Sequence, residues 1–539
     1  MSFRTAAPFL ALFMLSACGG AGDVAPPNSA PPPTSSGSAA ATAASAAPDA
    51  SEPAPQPALA ETRSTMNPEL KVEAVGLNRV KGKHLVVQLR LTNTGTRKLT
   101  WTGEMGDLTR PLGKIQWASG IGVLDAAART WILPYKPTDS DSPCLCSDQE
   151  RDGLDYFIAP GASLALYAVM PAPTGTAATT TVVTPVGPPM PDVPISDEPP
   201  VTPPGMLIPD PDAEPVTTVM REVVTPSEAL DRSDETADDG KDLHVNLSSD
   251  VLFAVNKATL TPKARATLAR TAKLIDSSAG PAVKVEGHAD SSGTDAINEP
   301  LSASRAQAVQ RALSALITRK GVGFEAKGYG SRRPLYSNDS EEGRRRNRRV
   351  TVTFARPQAV ETERAATSST SATPGGAGLK STGKAGGQPI SMEVTGLRRL
   401  PDGLGMLTYR ITNEGDRAAW FNELHHSRDW MSFRHQAAAN VTLTDVKARR
   451  QYLPGRLQAP TDDGRVDSYC ACSDLSGVRL STEKFGPGQA KEFWDLFALP
   501  DDVATLNVKI ANFRELEVPV QERRVPVNPH RPAWSRPPA

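Results

Sequence analysis

Fifteen residues separate Asp290 from Arg305 in the stretch GHADSSGTDAINEPLSASRAQAV, residues 287–309. The aspartate follows a β-branched run, AVKVEG at 282–287, and the arginine stands just inside a helical pattern for which Ser302 is a candidate cap. Open α/β sheets bind ligands in the crevice at the carboxyl ends of their strands, so a strand end and a helix start bring both side chains to one crevice. A carboxylate there accepts from an ammonium, and a guanidinium grips a carboxylate through two parallel N–H bonds. With Arg305 three residues past Ser302, the free N–H groups of the helix start reinforce carboxylate binding. The guest that satisfies both ends is a zwitterion, an amine and a carboxylate on one carbon. Taken singly, the same residues have plainer uses: an aspartate after a strand makes turns, and an arginine in a first helical turn is ordinarily solvated.

The other chemistry-bearing residues are cysteines. Besides Cys18 they stand in two Cys-x-Cys pairs, Cys144-Leu145-Cys146 and Cys470-Ala471-Cys472. Three pairings are open to them and the sequence does not choose; a local bridge in each is favoured because each of two repeated segments carries its own pair. Two thiolates are too few for a closed zinc site, and HHSRDWMSFRH at 425–435 has no histidine counterpart in the first copy, so no metal is expected. The basic run GRRRNRR at 343–349 sits in a chain that balances 59 Lys and Arg against 60 Asp and Glu, which removes the electrostatic ground for nucleic acid. No glycine-rich phosphate loop and no Ser/His/Asp or Cys/His set occurs, and Glu341-Glu342 reads as solvated surface. An enzyme is the least supported class, and no cofactor is expected.

A chain of 539 residues exceeds one core, and domains of roughly 100 to 200 residues predict about three. Residues 1–17 carry Arg4 and a short apolar core from Pro8 to Leu15, too short to span a bilayer, and read as an export signal. Residues 18–65, rich in Ala, Pro and Ser, cannot bury a core and read as a tether. Segments 66–195 and 390–520 are copies of each other. Gly76 and Asn93 lie 320 residues before Gly396 and Asn413, CLCSD matches CACSD, and Pro160-Gly161 matches Pro487-Gly488. So long a period means domain duplication. Within each copy, runs such as HLVVQLRLTN and GMLTYRITN alternate as strands, predicting two all-β sandwiches. Linkers are expected at 196–240 and 357–389, with a Pro-rich tail at 521–539.

Between them, 241–356 alternates strand and helix. One helix is expected to open on Thr261 and Pro262 with Ala264, Leu268, Thr271 and Ile275 on one face. A second opens at Ser302 with Ala306, Val309, Leu313 and Leu316 inward, and strands fall at 282–287, 323–330 and 349–354. This is an α/β sandwich between two β sandwiches.

Three features resemble known families. Leu15-Ser16-Ala17-Cys18 is similar to the lipobox of bacterial lipoproteins, which implies acylation of Cys18 and a lipid anchor. The 287–309 stretch, with LFAVNKATL (252–260), KGYGSRRP (327–334) and NRRVTVTF (347–354), resembles OmpA-like peptidoglycan-binding domains. That resemblance implies non-covalent binding of the peptidoglycan stem peptide through diaminopimelate. Asp290 would take its ammonium and Arg305 its carboxylate, with Asn256, Asn298 and Arg348 as further polar contacts. The sequence departs from the pattern at Ala254, Ala289 and Pro300, and Ala289 removes one side-chain hydrogen bond. The strand ending L-x-N-x-G resembles small immunoglobulin-like domains of exported lipoproteins. The implied function is a lipid-anchored tether between membrane and wall, expected at the outer membrane facing the periplasm because Gly19 lacks the acidic signal for inner-membrane retention and the resembled family usually works there; the outer face of a plasma membrane is the alternative place. In the alternative function the duplicated β domains bind a protein partner and the OmpA-like domain only localises them.

Overall fold

The computed structural model describes residues 56–101, 104–107, 118–139, 142, 144–175, 177–203, 205–357, 379–425, 438–460, 466–473 and 484–523. The leader, Cys18, most of the tether, the histidines of 425–435 beyond His425, and the tail from 524 lie outside them. None of the described helices is long and apolar enough to cross a membrane.

Strand structure begins inside the expected tether. β1 (Ala60–Arg63) pairs antiparallel with β2 (Leu70–Val80), so the tether ends near residue 59 and not at 65. Its residues alternate between partly buried and exposed, and backbone bonding at an edge needs only one inward face, which the small side chains of Ala60 and Thr62 supply. β2 continues to β3 (His84–Asn93); β4 (Gly122–Asp125), β5 (Thr130–Pro137), β6 (Ser163–Pro171), β7 (Thr179–Val183) and β8 (Met190–Pro194) complete the first copy. One sheet runs β1-β2-β3-β6 and the second β8-β7-β4-β5. Leu70, Val72, Leu85 and Leu89 of the first meet Val123, Ile132, Val182 and Val193 of the second in one buried core, so the copy is a two-sheet sandwich.

The expected linker 196–240 contains two strands. β9 (Val216–Ala229) pairs with β5 through residues 216–222, and β10 (Asp234–Asp238) folds back on it. Proline and acid content predicts loop only where the apolar residues have nowhere to go; here Val223 and Val224 are buried against chain far away in sequence. β10 hands the sheet to β11 (Asp242–Ser248) of the central region.

There, α1 (Ala264–Ser277), β12 (Ala282–Gly287), α2 (Asp295–Leu316), β13 (Gly323–Gly328), α3 (Glu341–Asn347) and β14 (Arg349–Ala355) form a sheet ordered β11-β14-β12-β13, with β12 and β13 parallel. Val350, Val352 and Phe354 share the buried face with Leu268 and Ile275 of α1 and Ala306, Val309 and Leu313 of α2. Three expectations change. α1 starts at Ala264, because the Thr261 hydroxyl donates to the Val251 carbonyl at 2.8 Å instead of capping. α2 starts at Asp295, seven residues before Ser302, with Thr294 extended ahead of it and the acidic Asp295 in its first turn. Pro300 therefore lies inside the helix, where its missing N–H removes the bond to the Ala296 carbonyl. Leu316 is 38% exposed at the helix end, past the sheet it was expected to cover.

The second copy begins within the expected linker 357–389, with β15 (Lys380–Ala385) on β16 (Gln388–Arg399). β17 (Leu404–Asn413), β18 (Val441–Asp445), β19 (Arg450–Tyr452), β20 (Arg456–Pro460), β21 (Val466–Cys470), β22 (Ala490–Ala498), β23 (Thr505–Ile510) and β24 (Leu516–Pro519) follow. The order β15-β16-β17-β22 repeats β1-β2-β3-β6, down to a register shift at Val394/Gly396 matching that at Ala74/Gly76. Asn93 and Asn413 make the same bonds: each amide nitrogen donates to two carbonyls, of Arg97 and Ile158 or of Arg417 and Phe485, at 2.7–2.9 Å. The copies are joined by β9, which also pairs with β20 and β19. Between them Trp131 stacks on Trp494, ring centroids 6.2 Å apart, amid buried Leu133, Val223, Leu404, Met406 and Leu496.

Candidate binding crevice

Two glycines set the crevice. A Cβ on Gly287, at the end of β12, would lie 2.0 Å from the Ser302 carbonyl oxygen, and one on Gly328, at the end of β13, 2.3 Å from the Ala303 nitrogen. Only bare backbone lets α2 lie this close across the strand ends. Asp290 stands three residues beyond Gly287 and Arg305 three beyond Ser302, so one tight contact indexes both.

Both side chains are buried, Asp290 at 5% and Arg305 at 9% exposure. Asp290 accepts from Arg348 Nη1 at 2.7 Å and from the Ser292 backbone N–H at 2.8 Å. Burial pushes its carboxyl up, but these bonds outweigh burial and hold it below the ordinary carboxylate value. Arg305 lies in the third turn of α2, so the free N–H groups of the helix start are not beside it. Its Nε donates to the Lys257 carbonyl at 3.1 Å and its guanidinium sits 5.2 Å from the Phe253 ring centroid. Burial lowers its pKa, with Asp250 opposing and Arg348 adding.

Arg348 is the hub. It donates to Asp250 at 2.8–3.2 Å, to Asp290, and to Glu341 at 3.2 Å, and the Asp250 bonds above all hold it charged. Asn256 is exposed, in the left-handed region at φ 58°, in a tight turn where the Lys257 N–H donates to the Ala254 carbonyl at 3.0 Å. Asn298 is buried and gives its amide to the Ser292 carbonyl at 2.8 Å, bracing the loop that carries Asp290. Asp290, Arg348 and Asp250 thus form one hydrogen-bonded group, with Arg305 in its field, while Asn256 and Asn298 shape the two loops at its margins.

Sequence reasoning missed Asp250, Lys257, Phe253 and Asn347. Asn347 is fully buried; its Oδ1 accepts from Leu335 and Tyr336 at 2.9 and 3.0 Å and its Nδ2 donates to the Tyr336 carbonyl at 2.8 Å, fixing the turn from which Arg348 projects. Its place at the head of Asn-Arg-Arg was the available signal; Asp250 and the Lys257 carbonyl had none. Three arginines of the basic run are ion-paired besides Arg348: Arg344 with Glu341, Arg345 with Glu342, and Arg346 with Glu228, Glu235 and Glu342. Elsewhere, Cys144 is joined to Cys146 and Cys470 to Cys472, with Cα atoms 5.3 and 5.2 Å apart.

Residues 252–348 match the OmpA family. The lipoprotein YfiB of Escherichia coli is 33% identical over 118 residues, 22% of this chain and 72% of that protein. The chain belongs to the OmpA family. Outer membrane porin F of Pseudomonas aeruginosa is similar at 38% identity over 106 residues, 20% of this chain and 30% of the porin. Among solved structures, the cell wall anchor of the T6SS from Pseudomonas aeruginosa shares 32% identity over 23% of this chain and 90% of that one, with a TM-score of 0.22. The chain spans only 30% of porin F and 52% of the E. coli lipoprotein YiaD, so the likeness is one of the OmpA-family segment and not of whole proteins. That segment contains Asn256, Asp290, Asn298, Arg305 and Arg348, the whole of the crevice's charged group but Asp250.

Proposed function

We propose that this chain binds the stem peptide of peptidoglycan without covalent attachment, Asp290 receiving the diaminopimelate ammonium and Arg305 its carboxylate. The observation that supports this most is a buried carboxylate and a buried guanidinium, each fixed by other residues, three positions beyond one helix–strand contact in an OmpA-family segment. Fixed, partly desolvated charges discriminate better than solvated ones, because little side-chain entropy remains to be lost on binding. Arg348 keeps Asp290 ionised and Asn298 holds its loop; Asn256 lies at the outer margin, where a longer ligand would pass.

In the same reading Cys18 carries a lipid that anchors the chain at the outer membrane facing the periplasm, the two sandwiches are immunoglobulin-like, and each keeps its own Cys-x-Cys bridge. The relatives named as outer membrane proteins or lipoproteins support the envelope setting. Sedimentation with purified diaminopimelate-type peptidoglycan tests the binding. Asp290→Ala and Arg305→Ala are each expected to leave the protein in the supernatant while the wild type pellets. Pelleting by both variants as strong as the wild type's would sink the assignment.

A further inference from the structure

The duplication supplies an internal control for the two Cys-x-Cys pairs. Cys146 bridges Ala168 across an antiparallel pair and Cys472 bridges Asp495 in the same way. The flanking bonds agree: Ser147 and Tyr167 exchange bonds as Ser473 and Trp494 do. Val87 is the cross-strand partner of Ala168 and Leu407 that of Asp495, at the offset of 320 that relates the copies. The register therefore makes Ala168 and Asp495 the same position, and by the same reckoning Leu89 and Tyr409.

In the second copy an alanine and a leucine of an apolar core have become an acid and a phenol, both with no exposed surface. One Asp495 oxygen and the sulfurs of Cys470 and Cys472 lie within 4.8 Å of one another. Burial, with the Asp495 carboxylate close by, pushes the Tyr409 hydroxyl well above its ordinary value. Putting such groups in a core is costly, and the first copy shows that the fold and its Cys-x-Cys pair do without them.

A disulfide has no hydrogen to offer a carboxylate, whereas a thiol donates one. Reduction therefore offers Asp495, within 4.8 Å of both sulfurs, a hydrogen-bond donor that the disulfide lacks; beside Ala168 it gains nothing. We propose that Cys470–Cys472 is a thiol–disulfide exchange centre, opened by a dithiol co-reactant, and that Cys144–Cys146 is its inert counterpart because Ala168 stands where Asp495 does. In the exchange a thiolate of the co-reactant attacks one sulfur, the Cys470–Cys472 bond breaks, and the other sulfur leaves with the bonding pair and takes a proton. The second thiol of the co-reactant then closes its own disulfide and releases the first cysteine. Two electrons and two protons end on Cys470 and Cys472, and the co-reactant leaves oxidised.

The test equilibrates the full chain with graded ratios of reduced to oxidised dithiothreitol, traps thiols by alkylation, and reads each pair by peptide mass spectrometry. Being at equilibrium, it does not depend on access to buried sulfur. Cys470–Cys472 is expected to be half reduced at a ratio about tenfold more oxidising than Cys144–Cys146, a difference of about 30 mV. Asp495→Ala, which copies the first repeat, is expected to bring the two within about threefold, and Ala168→Asp to move Cys144–Cys146 toward the second pair. Equal ratios in the wild type, earlier opening of Cys144–Cys146, or a folded Asp495→Ala variant that keeps the difference would each overturn the proposal. Should Asp495→Ala not fold, Asp495→Asn takes its place, with a smaller shift in the same direction expected and no shift counting against. Stoichiometric zinc uptake by the reduced protein, lost in Asp495→Ala, with equal ratios for the two pairs would reassign the cluster to a metal site.

Discussion

Asp290 is held between two opposing effects, and the balance predicts a pH dependence. Burial alone would raise its carboxyl; the Arg348 hydrogen bond, with those of Ser292, brings it below the ordinary value. A carboxyl whose folded pKa is depressed adds stability above its unfolded value, near 3.9, and loses it as the pH falls through the folded value. In Arg348→Ala burial dominates and the carboxyl rises. Wall binding by this variant is therefore expected to fail at a higher pH than in the wild type, measured as the midpoint of pelleting between pH 3 and 7; a midpoint unchanged or shifted down would contradict the role given to Arg348. Aspartate and arginine at 290 and 305 could be picked out through residue type and the family resemblance, since spacing alone fits a turn and a solvated arginine as well. Their partners could not, because Asp250 and the Lys257 carbonyl come from a segment whose approach depends on the fold.

At the scale of elements, the crevice depends on how closely α2 lies against the ends of β12 and β13. Gly287→Ala would place a methyl carbon 2.0 Å from a backbone oxygen that cannot rotate away. The variant is expected to lose about 1–3 kcal/mol in urea unfolding, as overpacked cores do, and to pellet less well even where folded. A change below about 0.5 kcal/mol with full pelleting would show that the helix moves freely. The helical cores were legible because Leu268, Ile275, Ala306, Val309 and Leu313 recur at the helical period. The start of α2 was not: Ser302 has the chemistry of a cap, but its hydroxyl donates to the Glu299 carbonyl at 2.9 Å, inside a helix already begun.

Over the whole molecule, β9 and β10 turn three expected beads on linkers into one body. Arg346 on α3 ties the central region to this junction through Glu228 of β9 at 3.1 Å and Glu235 of β10 at 2.9 Å. Removing it leaves two largely buried carboxylates facing each other, so Arg346→Ala is expected to cost about 3 kcal/mol in chemical denaturation. Loss of residues 379–523 would uncover Trp131, Leu133 and Val223, and the remaining chain is expected to aggregate. A soluble monomer with an unchanged far-ultraviolet spectrum would mean that the copies are independent after all. Deleting 241–356 tests the tether reading: wall retention is expected to be lost, and unchanged retention would sink it.

From the sequence by itself come the duplication, the strand alternation in both copies and the inward faces of both helices, because each is written in local period or exact recurrence. Tertiary structure alone decided that Val216–Ala229 is a shared strand, that Asp290 is paired through Arg348, and that Asp495 occupies the position of Ala168 beside a cysteine pair. The physical reason is the same each time. Whether a strand finds a partner, and whether a charge finds a counter-charge or a sulfur, is settled by groups from distant chain that burial brings together, and no local pattern records which groups those are.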